Sequence, residues 1–255
     1  MRKKIALLLI FILAFTAATW SEVFLHRIET SIQYEYLNPD SLYDSWNSLT
    51  VKYFREVNPT FNYHVGASIH NRNDSALLLF AGIGKTLSKR WFTNLAVSTS
   101  TKCDYLQQFR FDADINVILF RQENLIATLG YAWINYHTEY EDVLWRYGLS
   151  YIISRFVFEF MIFENTSTPG KVESSTALFS LGYGIDGWQW THMVFNFGNQ
   201  AYWATNYVLQ NSDEIILKHR HWLKKDFGWF ASLGFLDLGE AYEKYLIEFG
   251  LFWQY

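Results

Sequence analysis

The sequence predicts an all-β protein, a single transmembrane antiparallel up-and-down β-barrel of about 14 strands, with 12 as the alternative count. Three observations carry this expectation. Apolar and polar residues alternate with a period of two from end to end, the pattern of strands with two unlike faces. Aromatic residues make up 20% of the chain, with 11 Trp, 17 Tyr and 22 Phe, more than a soluble core needs and suited to interfacial girdles. The chain closes on an apolar strand with an aromatic last residue. The soluble alternative is a secreted β-sandwich or periplasmic barrel, whose apolar face would be buried.

Taken in order, Met1-Arg2-Lys3-Lys4 is a basic region, followed by an apolar run from Ile5 to about Thr16 and the small residues Thr16-Ala17-Ala18. This layout predicts a secretory signal peptide over 1–18 and a barrel domain over 19–255, and so export to the bacterial outer membrane. A retained amino-terminal anchor is the alternative. Beyond this segment no run reaches the ~18 apolar residues of a spanning helix. Cys103 is the only cysteine, so no disulfide can form within the chain.

The alternating segments follow. Glu29, Ser31, Gln33 and Glu35 oppose Ile28, Ile32, Tyr34 and Tyr36. Asn62, His64 and Ser68 oppose Phe61, Tyr63, Val65, Ala67 and Ile69. Arg110, Asp112, Asp114 and Asn116 oppose Phe109, Phe111, Ala113, Ile115 and Val117. Arg146, Gly148 and Ser150 oppose Trp145, Tyr147, Leu149 and Tyr151, and Ser180, Gly182 and Gly184 oppose Phe179, Leu181, Tyr183 and Ile185. Only 3 prolines interrupt the chain, in keeping with paired ladders.

Tight connections are expected at Asn58-Pro59, Ser88 to Arg90, Arg121 to Glu123, Ser154-Arg155, Asp186-Gly187 and Lys224 to Asp226. Longer ones are expected near 38–45, 71–75, 101–105, 138–141, 164–173, 200–212 and 237–241. Short turns belong at the periplasm and long loops outside.

The final strand carries Tyr245, Ile247, Phe249, Leu251, Trp253 and Tyr255 on one face, with Leu246 and Phe252 as exceptions on the other. Such a strand with a terminal aromatic looks like the signal by which the barrel-assembly machinery recognises its substrates. A helix is the alternative, since Tyr242, Tyr245, Leu246, Phe249 and Trp253 also fit helical spacing.

The formal charge is −4, and without Arg2, Lys3 and Lys4 the chain holds 18 Lys+Arg (21 less 3) against 25 Asp+Glu. That balance excludes nucleic acid as a partner and leaves outer-membrane lipid as the expected surroundings. The expected lumen-facing charges are Lys52, Arg110, Asp112, Asp114, Arg146, Lys244 and Glu248. Mixed signs in a narrow interior predict mutual pairing, hence an occluded or weakly selective lumen.

For catalysis, His137 with Glu139, Glu141 and Asp142, His70 with Asp74, and His219, Arg220 and His221 are the groups at hand. None sits with a partner that singles out a nucleophile and its base. His219 and His221 share a strand face but lack a third metal ligand. No catalytic residue, metal or cofactor is expected. The leading reading is a non-enzymatic barrel, structural or a narrow channel; a rim enzyme acting on lipid through His137 or the His219/His221 pair, and a small-solute porin, are the alternatives.

Tyr34-Glu35-Tyr36, Trp46, Lys52-Tyr53, Arg110-Phe111-Asp112, Leu129-Gly130-Tyr131, Tyr147 to Tyr151, Thr168-Pro169-Gly170 and Ser180 to Gly184 follow one another in order. This run resembles the YaiO family of outer-membrane β-barrel proteins. The resemblance implies a barrel in the outer membrane and carries over no catalytic residue. Larger relatives join such a barrel to helical repeats in surface-polysaccharide settings, repeats for which this chain has no room; a link to envelope or surface-polysaccharide traffic, with polysaccharide as a partner, is a further expectation beside the resemblance.

Overall fold

The structure, a computed structural model, describes residues 25–39, 44–120, 124–202 and 208–255. The signal-peptide expectation at 1–18 therefore lies outside the described residues. Fourteen strands run in chain order: β1 (His26–Asn38), β2 (Trp46–Asn58), β3 (Phe61–Asn71), β4 (Ser75–Thr86), β5 (Trp91–Ser100), β6 (Gln107–Ile118) and β7 (Leu125–Tyr136). β8 (Glu141–Ile153), β9 (Phe156–Thr168), β10 (Val172–Ile185), β11 (Gln189–Tyr202), β12 (Val208–Lys224), β13 (Phe227–Leu238) and β14 (Tyr242–Gln254) complete the set. Each pairs antiparallel with its sequence neighbours, and β1 pairs with β14, closing the barrel with no free edge.

Burial decides which face is which. Ser31, Glu35, Ser48, Ser68, Asn116, Ser180 and Ser232 are buried although polar. Ile32, Leu233, Ile247 and Phe249 are large and apolar yet 65%, 55%, 57% and 54% exposed. Apolar side chains stand outward on every side of the barrel, far beyond the patch that a water-soluble monomer shows. Strands of 10 to 17 residues meet or exceed the ~9–11 that a tilted strand needs to cross a bilayer. The outer face is a lipid face.

Outward aromatics gather toward both rims. Near one lie Tyr36 against Tyr245, Tyr245 against Phe235, Phe109 against Trp133, and Tyr131 edge-on to Trp145. Near the other lie Tyr53 with Tyr63, Phe156 with Tyr183, and Trp253 with Tyr255. Amphipathic rings of this kind settle at a membrane–water boundary. The second rim carries the open ends of β1 and β14; we call it the terminal rim and the other the distal rim.

The connections differ from expectation in length. The polar stretch 164–173 is mostly ladder: Asn165 pairs with Leu144 and Ser174, Ser167 with Asp142 and Val172, leaving 169–171 as the turn. Much of 200–212 is strand too, since β11 reaches Tyr202 and β12 starts at Val208. Polar residues that read as loop are strand positions instead, inward at Asn165, Ser167 and Ser212 and on the opposite parity at Glu164 and Thr166. At the terminal rim β6 ends at Ile118 and β7 starts at Leu125, a longer link than the expected tight turn at 121–123, which lies outside the described residues.

Candidate functional site: the barrel lumen

The register assembles the interior row by row. On β6, Arg110, Asp112, Asp114 and Asn116 share one parity; on β7 they face Ile134, Ala132, Gly130 and Thr128. Gly130 in turn faces Arg146 on β8. Because Gly130 has no side chain, Arg146 reaches across β7 to two carboxylates. Its Nη1 lies 2.8 Å from Asp112 Oδ1 and its Nη2 2.7 Å from Asp114 Oδ1. Arg110 binds Asp112 in a fork, through Nε at 2.7 Å and Nη2 at 2.8 Å. A Cβ at position 130 would run into both Asp114 and Arg146.

A second cluster bridges the seam between the first and last strands. Glu29 on β1 accepts from Arg220 of β12 at 2.6 Å and pairs with Arg27 at 2.8 Å. Arg220 lies over the rings of Phe252 and Phe230, 4.6 and 5.3 Å from their centroids. Those rings occupy the space left by Gly228 and Gly250 on the strands opposite. Lys52 faces Glu29 across the β1–β2 ladder.

Toward the distal rim Lys244 lies 3.6 Å from Glu35, and Glu248 accepts from Ser232 Oγ at 2.9 Å. On another wall Glu159 accepts from Ser180 and Glu214 from Asn196. The ion pairs Arg27–Glu29, Arg110–Asp112, Arg146–Asp112, Arg146–Asp114, Arg220–Glu29 and Lys244–Glu35 join positions along the wall, within one strand or up to three strands apart. Fourteen strands stand between the eight whose interior side chains fill and the 16–18 of porins with aqueous channels.

The distal mouth is built differently. The segment joining β5 to β6 folds inward: Cys103 and Leu106 are buried against Ala76 and pack with Leu78, inward residues of β4. Tyr105 from this segment donates to the carbonyls of His70 and Asp74, at 3.2 and 2.5 Å. Burial pushes its phenol pKa up, so it remains a neutral donor.

The histidines fall into unlike settings. His219 and His221 face outward near the terminal rim, sharing the parity of Ile215 and Leu217, and pack against Trp229. Their rings are 6.1 Å apart, and His219 Nδ1 is 2.8 Å from Thr191 Oγ1. They do not join the distal rim or the lumen. His137 Nε2 lies 3.2 Å from Ser100 Oγ, a contact between residues 37 apart that spacing alone could not reveal. The Ser100 hydroxyl also reaches the Gln107 carbonyl, at 2.7 Å. Asp142 is taken up by Tyr136 and Asn165 rather than by His137. Among the described residues no group of three His, Cys, Asp or Glu is placed to hold a metal.

A closed, lipid-faced barrel with a polar, charge-paired interior defines a membrane β-barrel protein. The family model described as the YaiO membrane beta barrel domain matches residues 25–203, and the chain belongs to that family. No curated protein matches the sequence. Two solved structures share the fold at low identity, and a third is similar with a lower score. The CymD monoaromatic hydrocarbon channel is 6% identical with a TM-score of 0.59, covering 92% of this chain and 88% of that one. A bacterial polysaccharide outer membrane secretin is 8% identical with a TM-score of 0.56, covering 90% and 98%. An anion-selective porin from Comamonas acidovorans is 10% identical with a TM-score of 0.48, covering 91% and 99%.

Proposed function

We propose that the protein is a non-enzymatic channel of the bacterial outer membrane, passing small solutes along a narrow, mixed-charge lumen. The observation that carries this reading is the lateral course of the ion pairs, which line the wall instead of plugging it. Residues 1–18 direct export, the barrel-assembly machinery inserts the chain, and outer-membrane lipid surrounds it, with the terminal rim in the periplasm. Lys52, Arg110, Asp112, Asp114, Arg146, Lys244 and Glu248 set the field that a solute meets. Opposed charges side by side make that field weak, so discrimination between anions and cations is modest. The setting in envelope or surface-polysaccharide traffic is an expectation beside the family resemblance. Single-channel recording in planar bilayers under a salt gradient tests the reading. Small, steady steps with a reversal potential near zero support it, and a folded protein that stays electrically silent overturns it.

A further inference from the structure

We propose that a cleft at the distal mouth is a binding subsite for a neutral, hydroxyl-rich solute, a saccharide or polyol. It deepens the channel reading by naming a class of passenger, and rests on that reading for the solute's route. The cleft is lined by Gln33 and Glu35 of β1, Trp46 and Ser48 of β2, His70 of β3, and Arg72 just beyond it. The ladder builds it: Gln33 faces Ser48, Ser48 faces His70, and Glu35 faces Trp46.

Arg72 is fixed between two rings. Its guanidinium lies 3.4 Å from the Trp46 centroid and 4.7 Å from that of Tyr105. No carboxylate among the described residues lies within ion-pairing distance of it. Glu35 is 6% exposed; its Oε1 accepts from Gln33 Nε2 at 2.6 Å and lies 3.6 Å from Lys244 Nζ. Its Oε2 is buried and has no hydrogen-bond partner, and the same holds for His70 Nε2. Buried polar side-chain atoms are paired in the large majority of cases, so two unpaired ones on residues that line a single cleft point to a missing partner.

The charges around the cleft select that partner. An anion meets the buried Glu35 carboxylate, and a cation meets Arg72 and Lys244. An apolar solute would leave Glu35 Oε2 and His70 Nε2 unsatisfied. A hydroxyl donates and accepts at one atom, so adjacent hydroxyls can donate to Glu35 Oε2 and accept from Arg72 while another pairs with His70. Neutral polyhydroxyl compounds fit this pattern.

Isothermal titration of the whole purified barrel in detergent, with glucose, maltose and sorbitol against gluconate and glucosamine, tests the assignment. At least one neutral compound should bind about tenfold more tightly than either charged one, and Glu35→Ala should weaken it about tenfold or more. Arg72→Met, outside the strands, provides the same test should Glu35→Ala not yield a heat-modifiable barrel. Absence of heat from every neutral compound on folded protein means that water alone fills the cleft, and overturns the inference. So does binding that is unchanged in both variants. Binding without conductance would remove the channel reading and leave the subsite; conductance without binding would do the reverse.

Discussion

His26 and Tyr255 lie ring on ring, their centroids 5.2 Å apart and their planes 8° from parallel. Their backbones exchange two hydrogen bonds, each 2.9 Å long. The last residue thus completes the ladder that joins β14 to β1, and it does so at the terminal rim with its ring outward. Tyr245, Ile247, Phe249, Leu251, Trp253 and Tyr255 present one exposed apolar face up to that contact.

Deleting Tyr255, or changing it to Asp, is expected to lower the yield of inserted barrel while synthesis continues. The aspartate would place a charge at the lipid boundary and remove the stack on His26. The heat-modifiable band on unboiled gels reads the outcome, and an undiminished band would remove the assembly role of this residue.

Gly130→Leu should disrupt the β6–β8 network, because its side chain would enter space held by Asp114 and Arg146. Separating partly buried charges from their partners costs about 1–3 kcal/mol. Urea titration of the barrel in micelles should show that loss as an earlier midpoint. An unchanged midpoint would mean that the network contributes nothing to stability.

Phe252 and Phe249 sit three residues apart on β14 and offer a direct contrast. Phe252 is 1% exposed, lying over Gly228 with its ring edge-on to Trp222, whereas Phe249 is 54% exposed on the lipid face. Phe252→Ala should cost about 3 kcal/mol through the cavity it leaves. Phe249→Ala should cost clearly less in a detergent that covers the outer face. Equal losses in the same titration would contradict the assigned faces.

Replacing Arg110 and Arg146 together by Gln leaves Asp112 and Asp114 facing the lumen without their cations. The channel should then favour cations, and its reversal potential in a KCl gradient should move in that direction. A potential identical to that of the unaltered protein would show that these residues lie off the conduction path.

Period-two alternation is a local property, and so the strands and their lipid face were legible in the sequence. Leu246 and Phe252 broke the pattern for a reason that lies on another strand. Phe252 fills space above Gly228, and Leu246 sits opposite Gly234. The stretch 164–173 was misjudged because a wet interior and a loop favour the same polar residues. The orientation of His219 and His221 was available from Ile215, Leu217 and Leu223, which share their parity. The Ser100–His137 contact and the reach of Arg146 across Gly130 depend on strand register, which sequence spacing does not report.

The link from Arg220 to Glu29 has a bearing on how firmly the barrel is closed. It clasps β12 to β1 over the whole width of β13 and β14, so the junction of first and last strands is held by side chains as well as by its ladder. Parting that junction sideways would strip Glu29 of Arg220 and draw the charged pair toward hydrocarbon. Opening of the wall at this junction is therefore opposed by a charge pair as well as by the backbone ladder.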